Sequence, residues 1–239
     1  MITLSKRMET VALMVTKGNK IADIGTDHGY VPISLVERGI AKSAIAMDVR
    51  KGPLSKATQN IKERNLGEKI ETRLSNGLEK LREGEVETVI IAGMGGDLVA
   101  KILQEGAFIL PSIEELVAQP QSEIYKVRQK LHELNWKIVE EKMLIEEGKY
   151  YTVIKAVGGQ DHYEKEWEYL YGKQLLESQD PILEQWLLKE KKTSEELLDR
   201  LENVDSPSGL ERKKELLHKV ENLKGGLAYY EDKGTNTTT

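Results

Sequence analysis

KIADIGTDHGYVPISL, from Lys20 to Leu35, decides how the rest of the chain is read. Its first half is a short apolar run, Ile21, Ala22 and Ile24, carrying one acid, Asp23. A glycine-bearing loop follows, and an apolar-periodic segment opens near Tyr30 and Pro32. That order predicts a strand, a tight loop and a helix. Glycines at such a turn let backbone approach a ligand closely. The helix start beyond offers free N–H groups and a positive dipole end. The loop lacks the G-x-G-x-x-G spacing of dinucleotide-binding folds. It runs Asp23-x-Gly25-x-Asp27-x-Gly29, a spacing that a purely structural strand-turn-helix also permits.

Working outward, residues 3–16 have Leu4, Met8, Val11, Ala12 and Val15 on one helical face, with Ser5, Lys6 and Arg7 at its start. A second strand, Ser43 to Asp48, ends in an acid. An acid there can accept hydrogen bonds from ribose hydroxyls. Lys51-Gly52-Pro53 opens a helix to about Asn65, with Pro53 suited to its first turn. A third strand spans Ile70 to Leu74 and leads into Ser75-Asn76-Gly77. Asn76 reads equally as a contact to an adenine edge and as half of an Asn-Gly turn. Val86 to Ala92 is a buried strand running into Gly93-Met94-Gly95-Gly96, where three glycines in four imply very close backbone approach. A helix over 98–103, a fifth strand over 113–118 and a helix over 122–134 come next. Trp136 to Ile145 and Tyr150 to Val157, joined by Glu146-Glu147-Gly148-Lys149, form a hairpin. Five βα-type units followed by an antiparallel pair predict an α/β fold with a seven-stranded, mostly parallel sheet.

After Gly158-Gly159 the composition changes. From Tyr163 to about Val204, charged residues alternate with Trp167, Leu170, Leu176, Leu183, Trp186, Leu187 and Leu198, and Pro181 kinks or divides this helix. A turn at 205–209 precedes a second helix carrying Leu210, Leu216, Leu217, Val220 and Leu223. The pattern predicts an antiparallel coiled-coil hairpin. The expected domains are therefore 1–159 and 160–231, with 232–239 a disordered tail.

The 239 residues carry a net charge of −5, spread unevenly. Residues 1–75 hold 13 Lys and Arg against 8 Asp and Glu, whereas residues 161–239 hold 12 against 18. A basic front permits a nucleic-acid partner, and from charge alone ordinary solvated surface is the favoured reading. There is no cysteine, so no disulfide and no thiolate metal site; a cytoplasmic protein without a metal is expected. The N-terminal apolar run is broken by Glu9 and reads as a helix, not a signal segment, and no membrane span is expected.

Taken together, DIGTDHGYVPISL, AMDVRKGPLSKA, SNGLEKL, IAGMGG and AQP resemble the bacterial tRNA (adenine(22)-N1)-methyltransferases. The resemblance covers nearly the whole chain, and the DIGTDHGY and IAGMGG pair is its specific part. The first loop is similar to the D/E-x-G-x-G-x-G signature of S-adenosylmethionine (SAM) methyltransferases, with Asp27 in place of the middle glycine. The resemblance implies a class I, Rossmann-like fold and a SAM-dependent enzyme that methylates N1 of an adenine in the D-arm of tRNA. It implies cofactor contacts from Asp23, Gly25, Gly29, Asp48, Asn76, Gly77, Ala92, Gly93, Met94 and Gly95. Asp27, His28 and Tyr30 are the candidate catalytic residues. Asp27 has three readings: a carboxylate serving the base, a partner for the cofactor's ammonium, and a cap for the following helix. Tyr30 is placed to stack on the base; His28 fits the pocket rim or simple packing. Lys6 and Arg7 are the candidate tRNA phosphate contacts, with a solvated helix start as the alternative.

One contrast bears on the substrate. Enzymes that methylate exocyclic amines commonly carry an N/D-P-P-Y/F motif after the fourth strand. Here that place is Ala92-Gly93-Met94-Gly95, with no aromatic to hold such a base. N1 of adenine already has an in-plane lone pair, so alignment and exclusion of water suffice. A SAM enzyme acting on another RNA or a small molecule, a nicotinamide-dependent oxidoreductase and a non-enzymatic coiled-coil scaffold are the competing readings.

Overall fold

The computed structural model describes residues 2–202 and 204–231, and the expected tail at 232–239 lies outside them. The chain divides into two compact units between His162 and Tyr163.

In the first unit the elements are α1 (Lys6–Met14), β1 (Ile21–Ile24), α2 (Tyr30–Glu37), β2 (Ala44–Asp48), α3 (Lys51–Glu63), β3 (Ile70–Leu74) and β4 (Thr88–Met94). After these come α4 (Gly96–Glu105), β5 (Glu115–Pro120), α5 (Ile124–Glu133), β6 (Trp136–Glu146) and β7 (Lys149–Gly158). The seven strands form one sheet in the order β3-β2-β1-β4-β5-β7-β6. Neighbours from β3 to β5 are parallel, and β7 runs antiparallel to both β5 and β6. Every residue of β1, β2 and β5 is buried, so these strands show no alternation of buried and exposed positions.

Two strand boundaries differ from the sequence expectation. β4 runs on through Gly93 to Met94, with a register irregularity between Ala92 and Met94. β5 begins at Glu115, because Leu110–Ser112 winds into a 3₁₀ turn that ends at Ile113. A charged residue opens a buried strand here because Glu115 is fully engaged. It accepts from Thr16 N–H and Thr88 Oγ1, takes a hydroxyl bond from Thr16, and pairs with Lys155 Nζ at 2.7 Å. Burial opposes its ionisation, but the Lys155 and Thr16 bonds outweigh that and hold its carboxyl below the usual range.

α1 starts where Ser5 accepts from Met8 N–H, a cap worth about 1 kcal/mol. It buries Val11, Ala12 and Met14 against the core and is tied to the far side of the sheet. Lys6 Nζ donates to Ile145 O, and Lys155 Nζ donates to Met14 O.

The second unit is helical: α6 (Glu166–Tyr171), α7 (Lys173–Glu177), α8 (Pro181–Arg200) and α9 (Pro207–Glu231). The single segment expected before the turn is thus three helices. Gly172, at φ 94°, separates α6 from α7. Asp180 caps α8, accepting from Ile182 and Leu183 N–H, and Pro181 takes the first position, where it lacks a needed donor least. α8 and α9 are antiparallel, with Tyr230 OH bonding Asp180 O at one end and Lys219 pairing with Glu190 further along. Leu188, Leu210 and Leu217 stay exposed, outside the seam that buries Leu183, Leu187, Leu216, Val220 and Leu223.

Candidate active site

In the order 3-2-1-4-5, the chain direction of winding reverses between β1 and β4. Ligands in open α/β sheets bind outside the carboxyl ends of the strands at such a switch point. Two loops meet there, 25–29 after β1 and 93–95 at the end of β4. Gly25 is at φ 75°, a conformation that favours glycine, and its bare Cα faces the terminal methyl of Met94 across the two loops. Gly25 and Thr26 N–H both donate to Met47 O, which pins the first loop to the end of β2.

This edge opens into a cavity of about 580 Å³. Its β1–β3 side is acidic. Asp23 and Asp48 are both buried. Asp48 Oδ1 accepts from Arg50 N–H at 2.7 Å, and its other oxygen makes no hydrogen bond among the described residues. Among the described residues no cation lies beside Asp23. Burial pushes its carboxyl up, the Thr26 side chain opposes the rise, and the Asp48 charge adds to it, leaving it at about 6. Asn76 Nδ2 donates to Glu79 Oε1, so the turn beyond β3 is fixed by that contact, and Asn76 and Gly77 still face the cavity.

The β4–β5 side is different. Arg7 Nη1 donates 2.8 Å to Gln119 Oε1, Arg7 N–H donates to Glu146 Oε1, and the guanidinium lies 5.0 Å from the Tyr151 ring centre. Gln121 N–H donates to Met94 O. Tyr30 is about half exposed at the rim, its ring 5.4 Å from that of His28. Asp27 sits in the left-handed region at φ 49°, in keeping with the glycine usual there, and its carboxylate is 4.0 Å from His28 Nε2. It does not cap α2: the residue at that position is Gly29, without a side-chain cap bond.

Of the residues singled out in the sequence, Asp23, Gly25, Asp27, His28, Tyr30, Asp48, Asn76, Gly77, Ala92, Gly93, Met94 and Arg7 line this one cavity. Gly29, Gly95 and Lys6 do not. Gly29 instead lets the start of α2 approach Ala57 of α3. Gly95 and Gly96 abut the loop after β5, where a Cβ on Gly96 would meet Ser122 O at 2.4 Å. Lys6 is directed to the end of β6. Arg50, Leu98, Lys101 and Gln121 also line the cavity and were not read from the sequence.

Comparison with known proteins gives this edge a family. Residues 4–154 match the methyltransferase-domain family. Over 158 residues the chain is 37% identical to the tRNA (adenine(22)-N(1))-methyltransferase of Bacillus subtilis strain 168, an alignment spanning 66% of each protein. The crystal structure of the B. subtilis m1A22 tRNA methyltransferase TrmK matches at a TM-score of 0.86 and 30% identity, covering 95% of this chain and 100% of that one. The chain belongs to the tRNA (adenine(22)-N1)-methyltransferase family. A Streptococcus pneumoniae protein, Sp1610, in complex with S-adenosyl-L-methionine, matches at a TM-score of 0.83 and 36% identity, covering 94% of this chain and 100% of that one. Among the described residues this methyltransferase has no group of three or more His, Asp or Glu that could hold a metal, and no helix long and apolar enough to cross a membrane.

The methyltransferase residues missed in the sequence share one property. Each follows a β-strand or sits on a helix facing the cavity, where only the pairing of strands decides which loop faces which. The signal available for Gln121 was its place just past the carboxyl end of a parallel strand.

Proposed function

We infer that the chain is a SAM-dependent methyltransferase that methylates N1 of adenine 22 in the D-arm of tRNA. The observation that carries this is the two-sided cavity at the switch point, with buried Asp23 and Asp48 on one side and Arg7, Gly93 and Gln121 on the other. The donor set fits the cofactor. Asp48 keeps one carboxylate oxygen for a ribose diol, and Asp23 is a buried acid lacking a countercharge, which a cationic ligand supplies. Gly25 leaves backbone bare where close approach is needed.

SAM supplies an electrophilic methyl group on a sulfonium. The protein's part is to hold adenine N1 in line with it and keep water away. No base is required, because the N1 lone pair is free once the nucleotide is unpaired. Positive charge arrives on the adenine ring as the methyl is transferred. Asp27, at the cavity rim, stabilises that charge or accepts from the N6 amine to orient N1. Tyr30 stacks on the base, with His28 beside it. Arg7, and not Lys6, meets the RNA near the site. The hairpin of the second unit positions tRNA, and the reaction takes place in the cytoplasm.

The test is nucleoside mass spectrometry of unmodified tRNA incubated with enzyme and SAM, with the modified position mapped. The expected product is 1-methyladenosine at position 22. N6-methyladenosine, or no methylated adenosine, overturns this reading.

A further inference from the structure

The cavity's two sides imply a division of labour. The acids and the Asn76-Gly77 turn occupy the β1–β3 side, so a nucleoside cofactor lies there. The acceptor base is left the β4–β5 side, whose floor is Gly93. Gly93 is at φ 79°, and a Cβ on it would stand 3.7 Å from both Arg7 Nη1 and Gln121 Nε2. The bare Gly93 therefore leaves a gap flanked by a guanidinium and a side-chain amide.

These two flanking groups are not equivalent. Arg7 is already committed to Gln119 and carries only donors, so it cannot accept from an adenine N6 amine. Gln121 is anchored through its backbone to Met94 O, while its side-chain amide makes no hydrogen bond among the described residues. It brings one free acceptor and one free donor to the gap.

We propose that Gln121 reads the target adenine on its N7/N6 edge. A glutamine amide pairs with adenine by accepting from N6 and donating to N7. That edge is opposite to N1. An enzyme that methylates N1 cannot spend N1 on recognition, so reading the far edge both selects adenine and leaves the lone pair free. Guanine is rejected twice: its O6 opposes the amide oxygen, and its N1 carries a hydrogen. The second N6 hydrogen, on the N1 side, remains for Asp27. This assignment rests on the adenine-N1 reading above.

The experiment uses full-length enzyme and two tRNA substrates, with adenosine or 7-deazaadenosine at position 22. Wild type should lose about 10-fold or more in kcat/KM when N7 is removed. Gln121→Ala should lose on the order of 10- to 100-fold on the adenosine substrate. Replacing N7 should then cost the variant far less than it costs wild type, because the variant has already lost the N7 contact. Comparing the two ratios cancels the change in N1 basicity that removing N7 brings. SAM affinity by calorimetry should be unchanged in the variant, whose side chain is exposed and outside the core. Equal N7 dependence in wild type and variant overturns the proposal, as does a variant with wild-type kcat/KM. Absence of 1-methyladenosine from wild type on the adenosine substrate instead overturns the reaction assigned above.

Discussion

Arg7 and Gln119 stand 112 residues apart in the chain and 2.8 Å apart in the fold, the guanidinium of one bonded to the fully buried amide of the other. The pair holds a cation at the mouth of the cavity with its direction preset. Glu146 and the Tyr151 ring support it from the hairpin side. A hydrogen bond to a charged group contributes about 1.5–3 kcal/mol. Gln119→Leu should lower stability by about that amount in chemical denaturation. It should also raise KM for tRNA roughly 10-fold while leaving SAM affinity within about 2-fold, since Arg7 lies on the β4–β5 side. Unchanged KM in a folded variant would remove Arg7 from substrate binding.

Asp48 is expected to hold the ribose of SAM through the carboxylate oxygen not used by Arg50 N–H. Losing bonds to a charged acceptor costs roughly 1.5–3 kcal/mol. Asp48→Ala should therefore weaken SAM roughly 10- to 150-fold by calorimetry, with the circular dichroism spectrum retained. Wild-type affinity in a folded variant would refute the assignment.

Asp23 sets a pH dependence. Burial first, with Asp48 adding and Thr26 opposing, lifts its carboxyl from 3.8 to about 6. An acid raised on folding stabilises the fold while protonated. That contribution is complete below about pH 4 and is lost as pH rises through 6. The separation corresponds to up to roughly 3 kcal/mol. Asp23→Asn should thus raise the Tm of the ligand-free protein at pH 7.5 and have little effect at pH 4. Cationic SAM favours the carboxylate, so wild-type affinity should weaken progressively below pH 6, and the Asn variant should lack that dependence. A Tm gain of equal size at both pH values would assign the effect to packing.

Asp27→Ala separates the two remaining roles of that residue. Service to the base predicts a kcat lower by about 100-fold with SAM affinity nearly unchanged. A large loss of SAM binding would assign Asp27 to the cofactor instead.

The second unit is tested by a chain ending at His162, the point at which the two compact units divide. Every residue lining the cavity lies before that point. The shortened chain should bind SAM as the full chain does and lose affinity for tRNA. The hairpin is acidic overall, so lysines such as Lys213 and Lys214 must face the RNA. Undiminished tRNA turnover would assign the hairpin to another partner.

Local pattern was enough for much of this protein. The apolar runs at 21–24 and 44–48, the glycines after them, the 136–157 hairpin and the turn between two long C-terminal helices are written in periodicity and punctuation, which depend on near neighbours only. Asp23 and Asp48 were legible because an acid closing or interrupting a buried run must have a reason. The ends of β4 and β5 were not, because fully buried parallel strands carry no alternation to mark where pairing starts, and Glu115 is admitted to one by Lys155, Thr16 and Thr88. Lys6 and Arg7 looked alike as neighbouring cations. In a helix consecutive side chains point about 100° apart, so the fold sends one to Ile145 at the end of β6 and the other, which lines the cavity, to buried Gln119 of β5. The role of Gln121 depends on Gly93 lying beside it, and that juxtaposition exists only once β4 and β5 are paired, because hydrogen bonds between strands bring together residues that no local sequence rule relates.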